Sequence, residues 1–317
     1  GHTQKESSSQ WEKNYQYNAA ERLIRYSQTA QGQNNPQIEA QYKYDPFGRR
    51  ISKTITQGGA TTAIYFVYSE QGLMAEANEQ GQLTKAYGFN PIAAQQGLWS
   101  TDPIWQAEVS NASLTATDTS YHYLHTDHLG TPQLATTKDG STSWKAAAEA
   151  FGAAGIIQNQ SRIEMNLRFP GQYFDQETNS HYNFHRDYKP NQGRYIQSDP
   201  IGTDGGVNLY GYSYVNPLTY IDTTGEVPWI GLPALYCVRF PRVCKEILRC
   251  IINPRACKKK LCRFGNAIYA ACHSLPTCVP CGESCVASQG KMAFLTTCYT
   301  LRLSMSRCYN DNPSPHD

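Results

Sequence analysis

Two spacing patterns of apolar residues divide the 317-residue chain. Up to about residue 225, short stretches rich in Tyr, Ile, Thr and Val alternate with turn-forming residues, and helical periodicity is weak. Three of these stretches, Thr62–Tyr68, Tyr121–Leu124 and Leu209–Tyr214, are predicted to be strands. The pattern predicts a long run of antiparallel hairpins with aromatic residues on the sheet faces.

A four-residue Asp-x-x-Gly unit recurs along this part of the chain. Asp at the first position accepts hydrogen bonds from backbone N–H groups, and Gly at the fourth position is free of steric conflict. Each unit therefore predicts a β-turn. The four copies are Asp45–Gly48, Asp127–Gly130, Asp199–Gly202 and Asp222–Gly225.

The remaining part of the chain, residues 227–317, has a different period. Three segments without internal Pro carry apolar residues at three- and four-residue spacings: Val243–Ile252, Lys260–Cys272 and Lys291–Cys308. This spacing predicts short helices. The predicted fold class is therefore mainly β, followed by a small α-helical, Cys-rich C-terminal domain.

Composition divides the chain at the same place. All 11 cysteines lie between Cys237 and Cys308, whereas 18 of the 22 tyrosines precede residue 226. Residues 1–225 carry 16 basic and 21 acidic side chains, and residues 226–317 carry 12 and 5. Disulfides account best for so many cysteines in a small core, and they predict an oxidising envelope compartment for this domain. The odd count leaves at least one thiol free or paired between chains.

A zinc site is the rival explanation for part of the Cys-rich region. Cys278, Cys281, Cys285 and His273 are residue types that bind zinc. A second Cys-x-x-Cys motif is missing, so disulfides remain the preferred interpretation. The sequence predicts no cofactor.

Several segments resemble bacterial Rhs proteins. Tyr44–Arg49 resembles their YD repeat. Five later segments resemble, in order, the Rhs repeat-associated core: Tyr123–Pro132, Arg168–Asp175, Asn183–Tyr188, Gly193–Gly202 and Asn208–Pro217. The resemblance implies a β-sheet shell wound from YD repeats, a core segment that closes one end, and a variable effector, usually a toxin.

The resemblance also implies the domain organisation of the chain, its delivery and its binding partner. Residues 1–120 are expected to form the YD-repeat region, 121–226 the Rhs core, and 227–317 the effector. The protein is expected to be secreted and delivered to a target cell by a secretion system. A cognate immunity protein is the expected partner that neutralises the effector.

Asp199 and Asp222 are candidates for a catalytic pair. Two carboxylates brought close together cannot both stay ionised, so one can act as an acid and the other as a base, as in aspartic proteases. The resemblance implies that Arg186 holds the pair and that the chain is cut between Glu226 and Val227. The alternative is that both aspartates only close turns.

The second turn unit departs from the family pattern. It lacks the usual Pro after Asp222, and Glu226 replaces the apolar residue that the family has before the cut. Because Glu226 adds a third carboxylate beside the pair, we expect slower cleavage or none.

The effector carries a basic cluster and scattered polar candidates. The cluster is a solvated helix face or a phosphate-binding surface for nucleic acid or anionic lipid, and its members are Arg255, Lys258, Lys259, Lys260 and Arg263. Lys291, Arg302 and His316 are candidate acid–base and phosphate-binding groups. Their order among Cys285, Cys298 and Cys308 loosely resembles the toxin family called novel toxin 16.

Three interpretations of the effector remain open. A nuclease that uses the basic cluster and His316 is slightly preferred. A disulfide-bonded toxin acting on the membrane or envelope is the second, because a reducing cytosol would open the bridges. An inactive remnant of an Rhs protein is the third.

Overall fold

Thirteen consecutive strands form one antiparallel sheet in which the order in space is the order along the chain. The computed structural model describes residues 1–95 and 98–226, and the backbone alone at 229–230. Because each strand pairs with its neighbours in sequence, the sheet is the meander that a run of hairpins predicts. Its strands are β1 (Lys5–Ser7), β2 (Trp11–Tyr17), β3 (Leu23–Ala30), β4 (Ile38–Tyr44), β5 (Arg50–Gln57), β6 (Ala60–Ser69), β7 (Gly72–Ala77), β8 (Leu83–Phe89), β9 (Pro103–Glu108), β10 (Ser120–Thr126), β11 (Pro132–Thr136), β12 (Thr142–Ala148) and β13 (Ala154–Ile156).

The Asp-x-x-Gly units reverse the chain between strands of this sheet. At Asp45–Gly48 the Gly48 N–H donates to the Asp45 carbonyl oxygen at 2.9 Å, and the equivalent bond closes Asp127–Gly130 at 3.1 Å. Gly48 has a φ of +84°, a left-handed conformation that Gly adopts without strain. The β-turns predicted at these two units are confirmed.

Two of the three predicted strands are confirmed. Thr62–Tyr68 lies within β6 and Tyr121–Leu124 lies within β10. The strand predicted over Leu209–Tyr214 is wrong, because this segment makes a turn, an isolated bridge and a short 3₁₀ turn. Its aromatic side chains contribute to packing and do not mark a strand. Tyr212 is buried and stacks on Phe169 with ring centroids 5.4 Å apart.

A smaller antiparallel sheet follows the large one along the chain. Its four strands pair in sequence order and are β14 (Tyr173–Asp175), β15 (Ser180–Asn183), β16 (Arg186–Lys189) and β17 (Arg194–Tyr195). The other elements are short: α1 (Pro91–Gln95), the paired strands β18 (Tyr220–Ile221) and β19 (Trp229–Ile230), and 3₁₀ turns at Gln158–Gln160, Pro190–Gln192, Gly202–Gly205 and Ser213–Val215.

The main apolar core lies between the two sheets. Phe66, Tyr87 and Trp144 of the large sheet are buried in one cluster with Tyr173 and Tyr182 of the small sheet. The rings of Phe66 and Tyr173 meet edge to face with centroids 5.2 Å apart. Since each large side chain contributes about 1.5 to 3 kcal/mol when buried, this cluster holds the small sheet against the large one.

Buried ion pairs join the same two sheets. Arg50 on β5 donates two hydrogen bonds to Asp175 at the end of β14, one of them at 2.9 Å. Lys53 lies 3.0 Å from a carboxylate oxygen of Asp175 and 3.2 Å from one of Glu177. Because loss of one partner would leave a buried charge uncompensated, this network fixes the position of the small sheet.

Helix is scarce in the described residues. It is limited there to α1 and the 3₁₀ turns, so the mainly β prediction is confirmed for this part of the chain. None of the helices in the described part combines the length and the apolar character that a bilayer span requires. The α-helical domain predicted for residues 227–317 lies outside the described residues, except for the backbone of 229–230.

Candidate functional site

Two turns place Asp199 and Asp222 at the end of the small sheet. Asp199 follows β17, and the Gly202 N–H donates to its carbonyl oxygen at 3.0 Å. Asp222 directly follows β18, and its Oδ1 accepts the Gly225 N–H at 2.8 Å. Both aspartates therefore have the turn role that the sequence predicts, and both are buried.

Arg186 on β16 lies between the two carboxylates. Its Nη2 is 2.8 Å from Oδ2 of Asp199 and 3.5 Å from Oδ2 of Asp222. All three side chains are at most 5% exposed. The structure thus brings together the three residues that the sequence singles out, and a single guanidinium nitrogen serves both carboxylates of this aspartate pair (Asp199 and Asp222).

Asp222 is held by more donors than Asp199. Besides Arg186, it accepts the Tyr195 hydroxyl at 2.9 Å and the backbone N–H groups of Gly225 and Glu226 at 2.8 and 3.1 Å. Among the described residues, Oδ1 of Asp199 accepts one hydrogen bond, from the Ile201 N–H at 3.0 Å. Asp222 is therefore the better stabilised anion, which leaves Asp199 as the better position for a proton.

Burial raises the pKa of both aspartates above the ordinary value, and the positive charge of Arg186 acts in the opposite direction. The charge of Asp222 further raises the pKa of Asp199. At Asp222 the Tyr195 hydroxyl and two backbone N–H groups oppose the increase. A pair in which one carboxyl holds a proton and the other is ionised is what general acid–base hydrolysis requires.

The residue before the predicted cut, Glu226, lies against this pair. Arg186 Nε donates to the Gly225 carbonyl oxygen at 2.6 Å, so the guanidinium also orients the backbone that leads to Glu226. A methyl group added at Gly205 would lie 2.5 Å from Asp199 Oδ2 and 2.8 Å from the Glu226 carbonyl oxygen. The Asp199 carboxyl and the Glu226 carbonyl therefore share the space that the missing side chain of Gly205 leaves open.

Paired strands precede and follow the predicted cut. β18 pairs with β19, with Ile221 opposite Trp229 and Tyr220 opposite Ile230. The cut would therefore separate these two strands along the chain. Val227, the residue expected on the far side of the cut, lies outside the described residues.

Comparisons with family models and with curated proteins point to the same family. A model of the family described as RHS protein matches residues 122–156. The double-stranded DNA deaminase toxin A of Burkholderia cenocepacia is 32% identical over 71% of this chain and 16% of its own length. The toxin protein Tse5 of Pseudomonas aeruginosa is 30% identical over 67% of this chain and 17% of its own length. The chain belongs to the Rhs family.

The matched region of the Rhs chain corresponds to a short stretch of these relatives. It spans about a sixth of the length of the two relatives named above. The probable deoxyribonuclease RhsA of Dickeya dadantii is 30% identical over 67% of this chain and 15% of its own length.

Solved structures share the fold. The crystal structure of TcdB2-TccC3-Cdc42 matches 71% of this Rhs chain and 10% of its own chain, with 20% identity and a TM-score of 0.54. The Photorhabdus luminescens Tc holotoxin pore carrying the mutation TccC3-D651A matches 73% of this chain and 10% of its own, with 21% identity and a TM-score of 0.53.

Several residues of the Rhs site were not singled out from the sequence. Tyr195 accepts a hydrogen bond from Asn183 Nδ2 at 2.7 Å while donating to Asp222, and Asn183 also donates to the Asp222 carbonyl at 2.8 Å. Both residues stand within segments that carry the family resemblance, which is the only signal that could have marked them. Gly205 carries no such signal.

The predicted effector residues of this Rhs chain all lie outside the described residues. They are the basic cluster (Arg255, Lys258, Lys259, Lys260, Arg263), the acid–base candidates (Lys291, Arg302, His316) and the alternative zinc ligands (His273, Cys278, Cys281, Cys285). They remain predictions.

Proposed function

We propose that the described residues are the carrier end of an Rhs polymorphic toxin, and that the carrier cuts its own chain after Glu226 to release residues 227–317 as an effector. The observation that carries this proposal is the convergence of Arg186, Asp199 and Asp222 beside the Glu226 carbonyl group. A purely structural role for three buried charges would not require a peptide carbonyl in the same space.

The site supports hydrolysis by a water molecule. Ionised Asp222 takes a proton from the water, and the water oxygen attacks the Glu226 carbonyl carbon. Asp199 donates its proton to the carbonyl oxygen, which gives a gem-diol. The proton taken up by Asp222 then passes to the nitrogen of Val227 as the carbon–nitrogen bond breaks, and one hydroxyl of the gem-diol returns its proton to Asp199. Water is consumed, and the products are a carboxyl group at Glu226 and a free amine at Val227.

Mass spectrometry of the purified 317-residue chain tests the proposal. We expect two species whose masses sum to that of the full chain plus one water, with the new amino terminus at Val227. The Asp199→Ala chain should remain a single species. A wild-type chain that stays intact under the conditions tested, from about pH 4 to about pH 8, would overturn the proposal.

We further propose that the effector acts on nucleic acid. The relatives include proteins named as a DNA deaminase toxin, probable deoxyribonucleases and a tRNA-specific nuclease, which supports this target class. The predicted basic cluster has the charge that phosphate binding requires. Lys291, Arg302 and His316 are the proposed chemical groups.

An effector that acts on the membrane or envelope is the second candidate, because its cysteines favour an oxidising compartment. Expression of the full chain in a bacterium, once retained in the cytosol and once exported to the periplasm, separates the two. Toxicity in the cytosol with degraded or modified nucleic acid supports the first candidate. Toxicity only on export, with leakage of dye from anionic vesicles, supports the second.

The partners follow from the same proposal. The names of the relatives include a toxin protein and the structures include Tc toxin complexes, which supports delivery by a secretion or injection system. A cognate immunity protein would be needed by the producing cell. Co-purification of the uncut chain with the product of a neighbouring gene tests this point.

A further inference from the structure

The side chain of Glu226 has partners of its own, separate from the aspartate pair. Its Oε1 lies 3.4 Å from His185 Nδ1. The same Nδ1 lies 2.9 Å from Nη2 of Arg22, a residue 163 positions earlier in the chain. The Glu226 carboxylate and the Arg22 guanidinium thus approach the same imidazole nitrogen beside the proposed cut.

Several contacts hold Arg22 in place beside His185. It donates through Nη1 to the carbonyl oxygens of Phe184 and of Gly48, the latter at 2.9 Å. Its guanidinium lies 5.6 Å from the centre of the Phe184 ring. A methyl group added at Gly48 would lie 2.3 Å from Arg22 Nη2, so the small turn glycine makes room for the cation. Arg22 is therefore a fixed positive charge at this site.

His185 is neutral at this site, and its Nδ1 lies close to both Arg22 and Glu226. Burial, and then the charges of Arg22 and Arg186, lower the pKa of His185 to about 4. Neutral imidazole can accept the hydrogen bond from Arg22 at Nδ1. Because this Nδ1 then has no proton to donate, Glu226 is attracted to the group by the charge of Arg22. Burial and the charge of Asp199 raise the pKa of Glu226, and the charge of Arg22 opposes the increase.

We propose that Arg22 and His185 form an acidic-side-chain subsite that selects Glu226 as the residue before the cut and positions its carbonyl group against the aspartate pair. This inference rests on the self-cleavage proposed above. It assigns a positioning role to two residues that no sequence motif marks as catalytic.

Three attachments make Glu226 a well-oriented substrate. Its N–H donates to Asp222 Oδ1, its carbonyl oxygen lies in the space at Gly205, and its side chain points at His185. Orientation of this kind is a large part of what enzymes contribute to rate. The prediction of slow cleavage treated Glu226 as an uncompensated third carboxylate, whereas the positive charge of Arg22 offsets part of the repulsion from Asp199 and Asp222.

Cleavage rates of full-length variants test the subsite. Glu226→Leu, which restores an apolar residue, should slow cleavage about tenfold, and Arg22→Gln should slow the wild-type sequence by a similar factor. The decisive measurement is the double variant. If both residues act through one contact, Arg22→Gln should not slow the Glu226→Leu chain further. Arg25→Gln is the matched control, since Arg25 lies on β3, which begins directly after Arg22, and pairs with Glu39 at 2.8 Å away from the site.

The pH profile gives a readout that a merely structural role would not move. The charged and titratable groups that face Glu226 are Asp199, Asp222, Arg186, Arg22 and His185. The charge of Asp199 raises the pKa of Glu226, and because this repulsion is mutual, the Glu226 charge disfavours the ionised form of Asp199. Glu226→Gln should therefore let Asp199 lose its proton at lower pH and shift the alkaline limb of the rate profile to lower pH.

The outcomes are distinct. Wild-type cleavage with unchanged rates in Glu226→Leu and Arg22→Gln, or with effects that multiply in the double variant, overturns the subsite and leaves the protease in place. No wild-type cleavage at any pH overturns both. Circular dichroism and a thermal unfolding curve for each variant identify loss of fold, in which case Arg22→Lys replaces Arg22→Gln and should retain part of the rate.

Discussion

The turns at Asp45–Gly48 and Asp222–Gly225 have the same four-residue unit and nearly the same local geometry. In both, Asp Oδ1 accepts two backbone N–H groups at 2.8 to 3.1 Å, and the closing Gly is left-handed, with φ of +84° and +72°. In both, an arginine lies beside Oδ2. The two turns differ in what surrounds them.

At Asp45 the ion pair with Arg49 is partly exposed, and at Asp222 the pair with Arg186 is buried. Burial raises the pKa at both positions, but hydrogen bonds from Arg49 outweigh it at Asp45 and give a net lowering. At Asp222 burial prevails and the pKa is raised. The same motif therefore closes a hairpin in one place and can carry acid–base chemistry in another, and only burial beside a second carboxylate separates the two.

The largest difference between the two turns should appear in the rate of self-cleavage when the aspartate of each turn is replaced. Asp222→Asn keeps the hydrogen-bonding shape of the turn but removes the carboxylate that accepts a proton, so cleavage should fall about 1,000-fold. Asp45→Asn should cleave at the wild-type rate. Intact mass over time measures both. Equal rates in the two variants would show that the buried turn has no chemical role.

Loss of the arginine should separate the turns in stability. Arg186→Gln leaves two buried carboxylates without their cation and should lower the free energy of unfolding by about 3 to 5 kcal/mol. Arg49→Gln breaks a partly exposed pair and should cost about 0.2 to 1 kcal/mol. Urea unfolding followed by circular dichroism compares them. Costs of equal size would contradict the role that we give to burial.

The open space at Gly205 should matter only at the buried turn. A methyl group there would press on both the Asp199 carboxyl and the Glu226 carbonyl, so Gly205→Ala should slow cleavage about 100-fold. Gly155→Ala is the control, since a methyl group there meets its nearest neighbour, the Ala147 carbonyl oxygen, at an ordinary 3.5 Å. A normal cleavage rate in Gly205→Ala would mean that the carbonyl lies elsewhere during the reaction.

The smallest of these effects concerns pH. Burial raises the pKa of Asp187, next to Arg186, to about 6, so this group stabilises the fold at low pH and that contribution is lost as pH rises through about 6. From about pH 5 to about pH 8 the wild-type chain should lose about 1.4 kcal/mol of unfolding free energy relative to Asp187→Asn, because the loss ends just above the folded pKa. Asp45 has the opposite sign, since its contribution is lost as pH falls. Unfolding curves of Asp187→Asn across this range check the first sign, and unfolding curves of Asp45→Asn below about pH 4 check the second.

Local patterns and family resemblance predicted much of this arrangement. The turn units and two strands could be found because each is encoded within a few consecutive residues. Arg186 and the pairing of Asp199 with Asp222 could be found because the family resemblance implies them. Leu209–Tyr214 was predicted wrongly because tyrosine-rich composition fits a strand and a buried loop equally well. Arg22 and Gly205 could not be found, since their roles depend on contacts that only tertiary structure creates.

The pairing of Arg50 with Asp175, 125 positions apart, has a consequence for the order of events in a living cell. The meander can grow strand by strand as the polypeptide leaves the ribosome, because every strand joins the one made just before it. The small sheet can dock only onto strands that were translated long before. The proposed protease would be inactive in an unfinished chain, because its residues meet only at this last step. Self-cleavage would therefore follow complete assembly of the carrier.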